Sequence, residues 1–314
     1  MIEVALMIEG QNGLTWERWQ RIAKLADEME FAGLFRSDHY TNATPPDKES
    51  LECWVSLAWL AGHTRRIEFG TMVSPLSFRD PTMLARMAAS VDDLSGGRLT
   101  LGVGAGWQER EHAKFGWDLL DIPGRFQRFE DGLEVITRLL KSDQPSTYTG
   151  EHYRIDEAVL LPRPQRFGGP PILIGGNGMI RTLPLAARFA DEWNGLYTSM
   201  DAYAERNQCL DELAEQYGRK PETIKRSMMI GCEFGRDDAE VKQLVEARTG
   251  GKRSAQDLRE SMGMAVGTAG EIVEHLGKLA EAGGQRVMLQ WLALDDIDRL
   301  EAMANQVLPQ LKGA

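Results

Sequence analysis

Cysteine, basic clusters and long apolar runs are what this 314-residue chain has least of, and each shortage removes a class of protein. The three cysteines, Cys53, Cys209 and Cys232, are odd in number and far apart, which excludes a disulfide framework and gives no thiolate metal-site spacing. A reducing cytoplasm is the expected compartment. None of His39, His63, His112, His152 and His275 falls in a His-x-x-x-His pair, so no metal is expected. Lysine and arginine number 36 against 47 acidic residues, a net charge of −11 with no basic stripe, which argues against nucleic acid as a partner. No uncharged apolar run nears the roughly 18 residues of a membrane span. The opening MIEVALMIEG carries Glu3 and no basic flank, so it reads as a buried first strand and not as a signal peptide.

What is present is a rhythm. Runs of β type stand at 4–8, 33–36, 67–71, 99–103, 171–175, 192–196, 226–232 and 286–291. Segments of helical spacing follow them at 16–30, 50–61, 80–94, 126–140, 180–190, 201–217, 237–247 with 269–282, and 297–310. Thr15, Asp80, Asp237 and Thr268 stand where N-caps belong, and Pro81 fits a first helical position. Eight such pairs favour an α/β fold of the (β/α)8 barrel type over a doubly wound sheet, one domain over 1–314. Insertions are expected after the fourth helix and around the seventh. The first, 141–169, contains Leu-Leu-Pro-Arg-Pro and implies a hairpin or extended excursion. The second, 248–268, is expected to be a mobile lid, and the two together to form the substrate pocket.

In such a barrel every strand's carboxyl end opens on one mouth, where chemistry is built. That rule places Ser37-Asp38-His39-Tyr40, Thr71 to Pro75, Gly104-Ala105-Gly106-Trp107 and Gly175-Gly176-Asn177-Gly178 at the mouth. Ser95-Gly96-Gly97-Arg98 falls at the opposite rim, as a helix end and turn. LGVGAGW is not a dinucleotide fingerprint, because the third glycine of Gly-x-Gly-x-x-Gly would fall on Trp107 or Glu109. Gly102 instead reads as a small residue inside the fourth strand, with Gly104 and Gly106 letting a flat ring approach the backbone and Trp107 starting a wall above it.

Each motif has two readings. Asp38-His39 is a carboxylate orienting an imidazole that passes protons, or a loop in which Asp38 bonds its own backbone and His39 is merely packed. Gly175 to Asn177 offers backbone donors to an anion at a helix N-terminus, or is a ligand-free turn. Glu109, Glu111 and His112 read as the solvated face of a short helix over the mouth. Met83, Met87, Trp54 and Trp59 read as packing between helix and barrel.

The order of the motifs carries a resemblance. SDH, GTMVSPLSFRDP, DDLSGGRLTLGVGAGW, GEHYR, LLPRP, PPILIGGNG and ADEWNG resemble the bacterial-luciferase-like monooxygenase family, in particular its branch using coenzyme F420. The match runs from the first strand to about Tyr197, and more loosely beyond. It implies an isoalloxazine-like ring in the mouth and hydride exchange with a small organic substrate. FMN with oxygen activation, or cofactor binding without turnover, are the alternatives. It also implies His39 as proton-transfer group beside Asp38, a cis bond at Thr71–Met72 behind the ring with Ser74 following, and a cofactor phosphate at Gly175, Gly176 and Asn177. Members that oxidise a sugar phosphate carry a glutamate where Trp107 stands, so that substrate class is disfavoured and Glu109 inherits no role. Homodimers are expected through helices near the second and third strands, the region of Trp54 and Trp59.

Overall fold

A computed structural model describes residues 2–312. The chain begins with β1 (Glu3–Ile8), α1 (Trp16–Glu28), β2 (Gly33–Arg36), α2 (Cys53–His63), β3 (Glu68–Thr71) and a two-residue β4 (Ser74–Pro75). It continues through α3 (Pro81–Ser95), β5 (Leu99–Gly104), α4 (Glu109–Phe115), α5 (Ile122–Lys141), a hairpin of β6 (Ser146–Thr149) and β7 (Arg154–Ala158), and β8 (Ile172–Gly175). Then come α6 (Thr182–Phe189), β9 (Glu192–Leu196), α7 (Met200–Gln216), β10 (Lys225–Phe234), α8 (Asp238–Thr249), α9 (Ala255–Met262), β11 (Ala265–Gly267), α10 (Ala269–Glu281), β12 (Arg286–Gln290) and α11 (Ile297–Lys312).

Parallel pairing runs β1–β2–β3–β5–β8–β9–β10–β12 and returns to β1, closing an eight-stranded barrel. Helices cover its outside, so the strands are buried on both faces and their sequences are mostly apolar, with a few buried polar residues such as Thr100 and Asn194. The barrel interior holds Ala5, Met7, Phe35, Met72, Leu173, Met229 and Met288. The outward faces join the helices in one larger core containing Leu6, Trp19, Leu34, Phe69, Leu101 and Trp193.

Helices start where their caps allow. The Thr15 and Asp80 side chains accept backbone N–H groups of α1 and α3. Glu52 caps α2 by accepting from the Val55 amide, so that helix begins after residue 52 and not at 50. Residues 248–268 are a correction: they carry the end of α8, α9 with a Ser254–Asp257 capping box, and β11 paired to β10. Leu258, Met264 and Val266 are buried with Val241 and Val245, and that apolar contact turns the expected lid into a packed helix and strand.

At the amino-terminal end of the barrel the Arg286 guanidinium, 2% exposed, meets Glu192 at 3.0 Å, Glu3 at 2.8 Å and Glu68, over the Phe35 ring. One cation from β12 thus ties β1, β3 and β9 across the floor. Glu192 is itself 5% exposed at the side chain, so without Arg286 it is a buried carboxylate with no cation bonded to it. Arg286→Ala is expected to lose about 3–5 kcal/mol in urea unfolding, the scale of a broken buried pair. A loss under about 1 kcal/mol, the value of a surface pair, would contradict this role.

Candidate active site

The site begins with a mismatch in strand register. β3 pairs β5 through Gly70↔Thr100, and β4 resumes at Ser74↔Val103, so four steps on one side face three on the other. The extra residue makes a bulge that pushes Met72 and Val73 toward the mouth. The cis peptide lies at Met72–Val73, one bond later than expected. Thr71 still belongs to the ladder, paired with Arg36, and the Met72 amide still donates to the Arg36 carbonyl at 2.7 Å, so irregular backbone starts only after Met72. Thr71 is fully buried with its hydroxyl donating to the Gly102 carbonyl, and it does not line the mouth.

LGVGAGW explains how the bulge fits. A Cβ on Gly102 would stand 1.9 Å from the Thr71 carbonyl oxygen, and one on Gly104 would stand 2.7 Å from Val73 Cγ2. Gly106 has φ +84° and its missing side chain leaves room for Ser77 Oγ. The space given up by these glycines is taken first by the chain itself, while the backbone of Gly104 and Gly106 also lines the mouth.

Inside the mouth lies a cavity of about 560 Å³. Met7, Met72 and Met229 contribute from the barrel interior; Val73, Pro75, Gly104, Gly106, Trp107, Gly175 and Gly176 form one side. Ile122, Arg125, Phe126 and Phe129 of α5 form an outer wall, while neither 141–169 nor 248–268 lines the cavity. The hairpin is present as expected, but its Tyr148 and Tyr153 pack behind α5 and leave that helix facing the mouth. The polar part of the wall includes Glu9, Gln11, Ser37, His39, Thr182, Tyr197 and Gln290.

His39 lines the cavity, but Asp38 does not orient it. Arg79 holds Asp38 through two nitrogens, at 2.9 and 2.6 Å, and the Ser74 hydroxyl donates to it at 2.7 Å. Trp54 in turn donates its indole N–H to Ser74 at 3.1 Å. Asp38 and Ser74 thus buttress the bulge from behind. The imidazole's partner is Glu111, fully buried on α4, which accepts from His39 Nδ1 at 2.8 Å and from the Tyr40 amide at 3.0 Å. Trp107, 60% exposed, stands edge-on to the imidazole at 5.8 Å between centroids. Glu111 is no solvated charge, and neither is His112, 2% exposed and bonded to Ser77 and the Gln108 carbonyl.

Burial alone would push His39 down, yet the Glu111 hydrogen bond and charge, with smaller help from Glu9 and Asp38, hold its pKa above the ordinary value. With Nδ1–H committed to Glu111, Nε2 is the nitrogen that exchanges protons with a ligand.

The turn after β8 is more occupied than its glycines imply. The Gly176 amide donates to Asn194 at 3.0 Å, and the Asn177 side chain bonds both backbone groups of Leu196. Helix α6 starts at Thr182, with no side-chain cap and with the Thr182 and Leu183 amides on the Gly178 carbonyl. The amides of Gly178, Met179 and Ile180 donate to no acceptor among the described residues. Nearby, Arg125 reaches only the Gly106 and Leu120 carbonyls, both at 3.3 Å, and its Nε is buried without a partner. The strand-end rule, carried on to the first, sixth and eighth strands, would have found Glu9, Tyr197 and Gln290; Glu111, 72 residues from its partner, gave no local signal.

A family model described as luciferase-like monooxygenase matches residues 3–286. The 4-hydroxyprotoasukamycin monooxygenase of Streptomyces nodosus subsp. asukaensis is 26% identical, over 96% of this chain and 88% of its own length. An F420-dependent glucose-6-phosphate dehydrogenase of Microbacterium testaceum is also 26% identical, over 92% and 91%. An F420-dependent secondary alcohol dehydrogenase, solved with an F420-acetone adduct, superposes with a TM-score of 0.86 over 99% of both chains at 18% identity, a likeness of fold.

A His39 pKa raised in the folded state contributes stability that is complete below its unfolded value of about 6.5 and fades as pH rises through the folded value. Glu111→Gln is therefore expected to lower the His39 midpoint in an NMR titration. The stability it costs should be greatest below about pH 6 and shrink at alkaline pH. An unmoved midpoint would remove Glu111 from the assignment.

Proposed function

The chain belongs to the luciferase-like monooxygenase family, and from that premise we propose that it is a coenzyme F420-dependent oxidoreductase exchanging hydride between the deazaflavin and a small organic substrate. The observation that carries the reading is His39, its Nδ1 fixed by buried Glu111 and its ring on the cavity wall. The cavity fits a flat ring with an anionic tail. Its volume of about 560 Å³ lies in the range of cofactor sites, and Arg125, with its orphaned Nε, lines it together with Thr182 at the start of α6. Arg125, Thr182 and those amides would hold the phosphate; Met72, Val73 and Gly104 would back the ring. Bound there, the deazaflavin supplies the hydride chemistry. The chain's own residues orient the ring, keep water from its buried face, and hold the accompanying proton at His39 Nε2. F420-dependent relatives that match along most of the chain support this. The monooxygenase relative, matched over 96% of the chain, favours an FMN-using second reading.

In the same reading the protein works in the cytoplasm as a homodimer. Trp54 is buried against Ser74 and leaves the pairing face to exposed Val55 and Met83 of α2 and α3. Light scattering is expected to give twice the monomer mass, falling toward monomer in a Val55→Asp, Met83→Asp double variant.

Titration of the purified protein with coenzyme F420 and with FMN, followed by fluorescence, is expected to give tight binding of F420; tight binding of FMN alone would sink the deazaflavin reading. His39→Ala should keep cofactor binding while losing about 10²–10⁴ in turnover of any detected substrate, the usual scale of a general acid or base. An unchanged rate would leave a binding protein without His39 chemistry.

A further inference from the structure

The β12–β1 side of the mouth carries a polar chain that makes no hydrogen bond to His39. Glu9, just past β1, lines the cavity and accepts a hydrogen bond at each oxygen, from Gln290 Nε2 at 2.7 Å and from Gln11 Nε2 at 2.7 Å. Both glutamines are nearly buried, and each has its own carbonyl occupied. The Tyr197 hydroxyl donates to Gln290 Oε1, and the Ser37 hydroxyl donates to Gln11 Oε1 at 2.6 Å. Ser37 Oγ already accepts from the Gly10 amide at 2.8 Å, so its single proton is directed at Gln11. Burial, and after it the charge of Glu9, pushes the Tyr197 phenol up to about 12, so it too remains a donor at neutral pH. Turning either amide over would set a carbonyl oxygen against Glu9.

Two glutamines pinned by two hydroxyls thus hold Glu9 as an acceptor at both oxygens, the role of an ionised carboxylate. No cation is among its bonds, and each oxygen keeps a further lone pair. A fixed acceptor beside apolar walls selects a ligand with an apolar body and one donating end, because a ligand lacking the donor leaves the carboxylate desolvated and unmatched.

We propose that Glu9 is the specificity-determining residue of this mouth, binding a hydrogen-bond-donating group of the substrate, a protonated amine or a hydroxyl, while His39 serves the reacting atom. The proposal rests on the oxidoreductase reading for its substrate pocket. The walls of Ile122, Phe126 and Phe129 add that the body of the substrate is hydrophobic or aromatic.

Three probes with one skeleton test it: benzylamine, benzyl alcohol and benzoate. Calorimetry is run on protein loaded with whichever of F420 and FMN binds, or on the bare protein if neither does, so a failed cofactor reading shows in the loading step. Benzylamine and benzyl alcohol are expected to bind at least about tenfold tighter than benzoate, and folded Glu9→Gln to erase that difference, the scale of a lost charge-assisted hydrogen bond. Tyr197→Phe, which keeps Glu9 but frees Gln290 to turn, should weaken the preferred probe a few-fold. An amine preferred over the alcohol identifies a cationic substrate; equal binding identifies a hydroxyl. Benzoate binding as tightly as the others, a preference surviving Glu9→Gln, or, where that variant does not fold, unchanged binding in Tyr197→Phe overturns the proposal.

Discussion

How closely β5 lets the chain after β3 approach decides the shape of the mouth. The Thr71 carbonyl lies where a Cβ of residue 102 would be, and Val73 occupies the place of one at 104. With glycine at both positions, one extra residue can be carried between two ladder segments without parting the strands. Met72 and Val73 then reach the cavity, Ser74 meets Asp38, and the Asp38–Arg79 pair is fixed at the rear of the site. The bulge is held in front by glycine backbone and behind by charge.

Two carboxylates act on the same imidazole at different ranges. Glu111 touches it, sets its tautomer and supports its charge; Glu9 adds to that charge through space while its own oxygens are held by amides. The mouth thus carries an imidazole–carboxylate pair from β2 and α4 and, beside it, a carboxylate held by amides at the ends of β1 and β12. The α5 wall is mostly apolar, with Ile122, Phe126 and Phe129 around the single guanidinium of Arg125.

The barrel was legible because parallel strands buried on both faces leave mostly apolar runs, and because caps such as Thr15 and Asp80 mark helix starts locally. Gly102 was legible as a strand residue for the same reason. What was not legible depends on partners distant in sequence. The bond that turns irregular is fixed by whether Thr71 still finds Arg36 on the neighbouring strand. The residue that orients His39 sits on another helix, and Asp38, next in sequence, is claimed by Arg79. The segment 248–268 looked like a lid because its glycines break helices, yet Leu258, Met264 and Val266 give it a small core of its own.

The barrel interior beneath the cavity is largely sulfur: Met7, Met72, Met229 and Met288, joined by Ala5, Phe35 and Leu173. Thioether side chains are unbranched and polarisable, and they conform to the surface laid on them at little cost in packing. A bed of that kind does not discriminate between flat heterocycles of similar outline. Discrimination is left to the rim, where Arg125, the turn after Asn177 and Trp107 stand. Exchange of one ring for another over evolutionary time would then proceed by substitutions at the rim, with the eight strands and their contents unchanged.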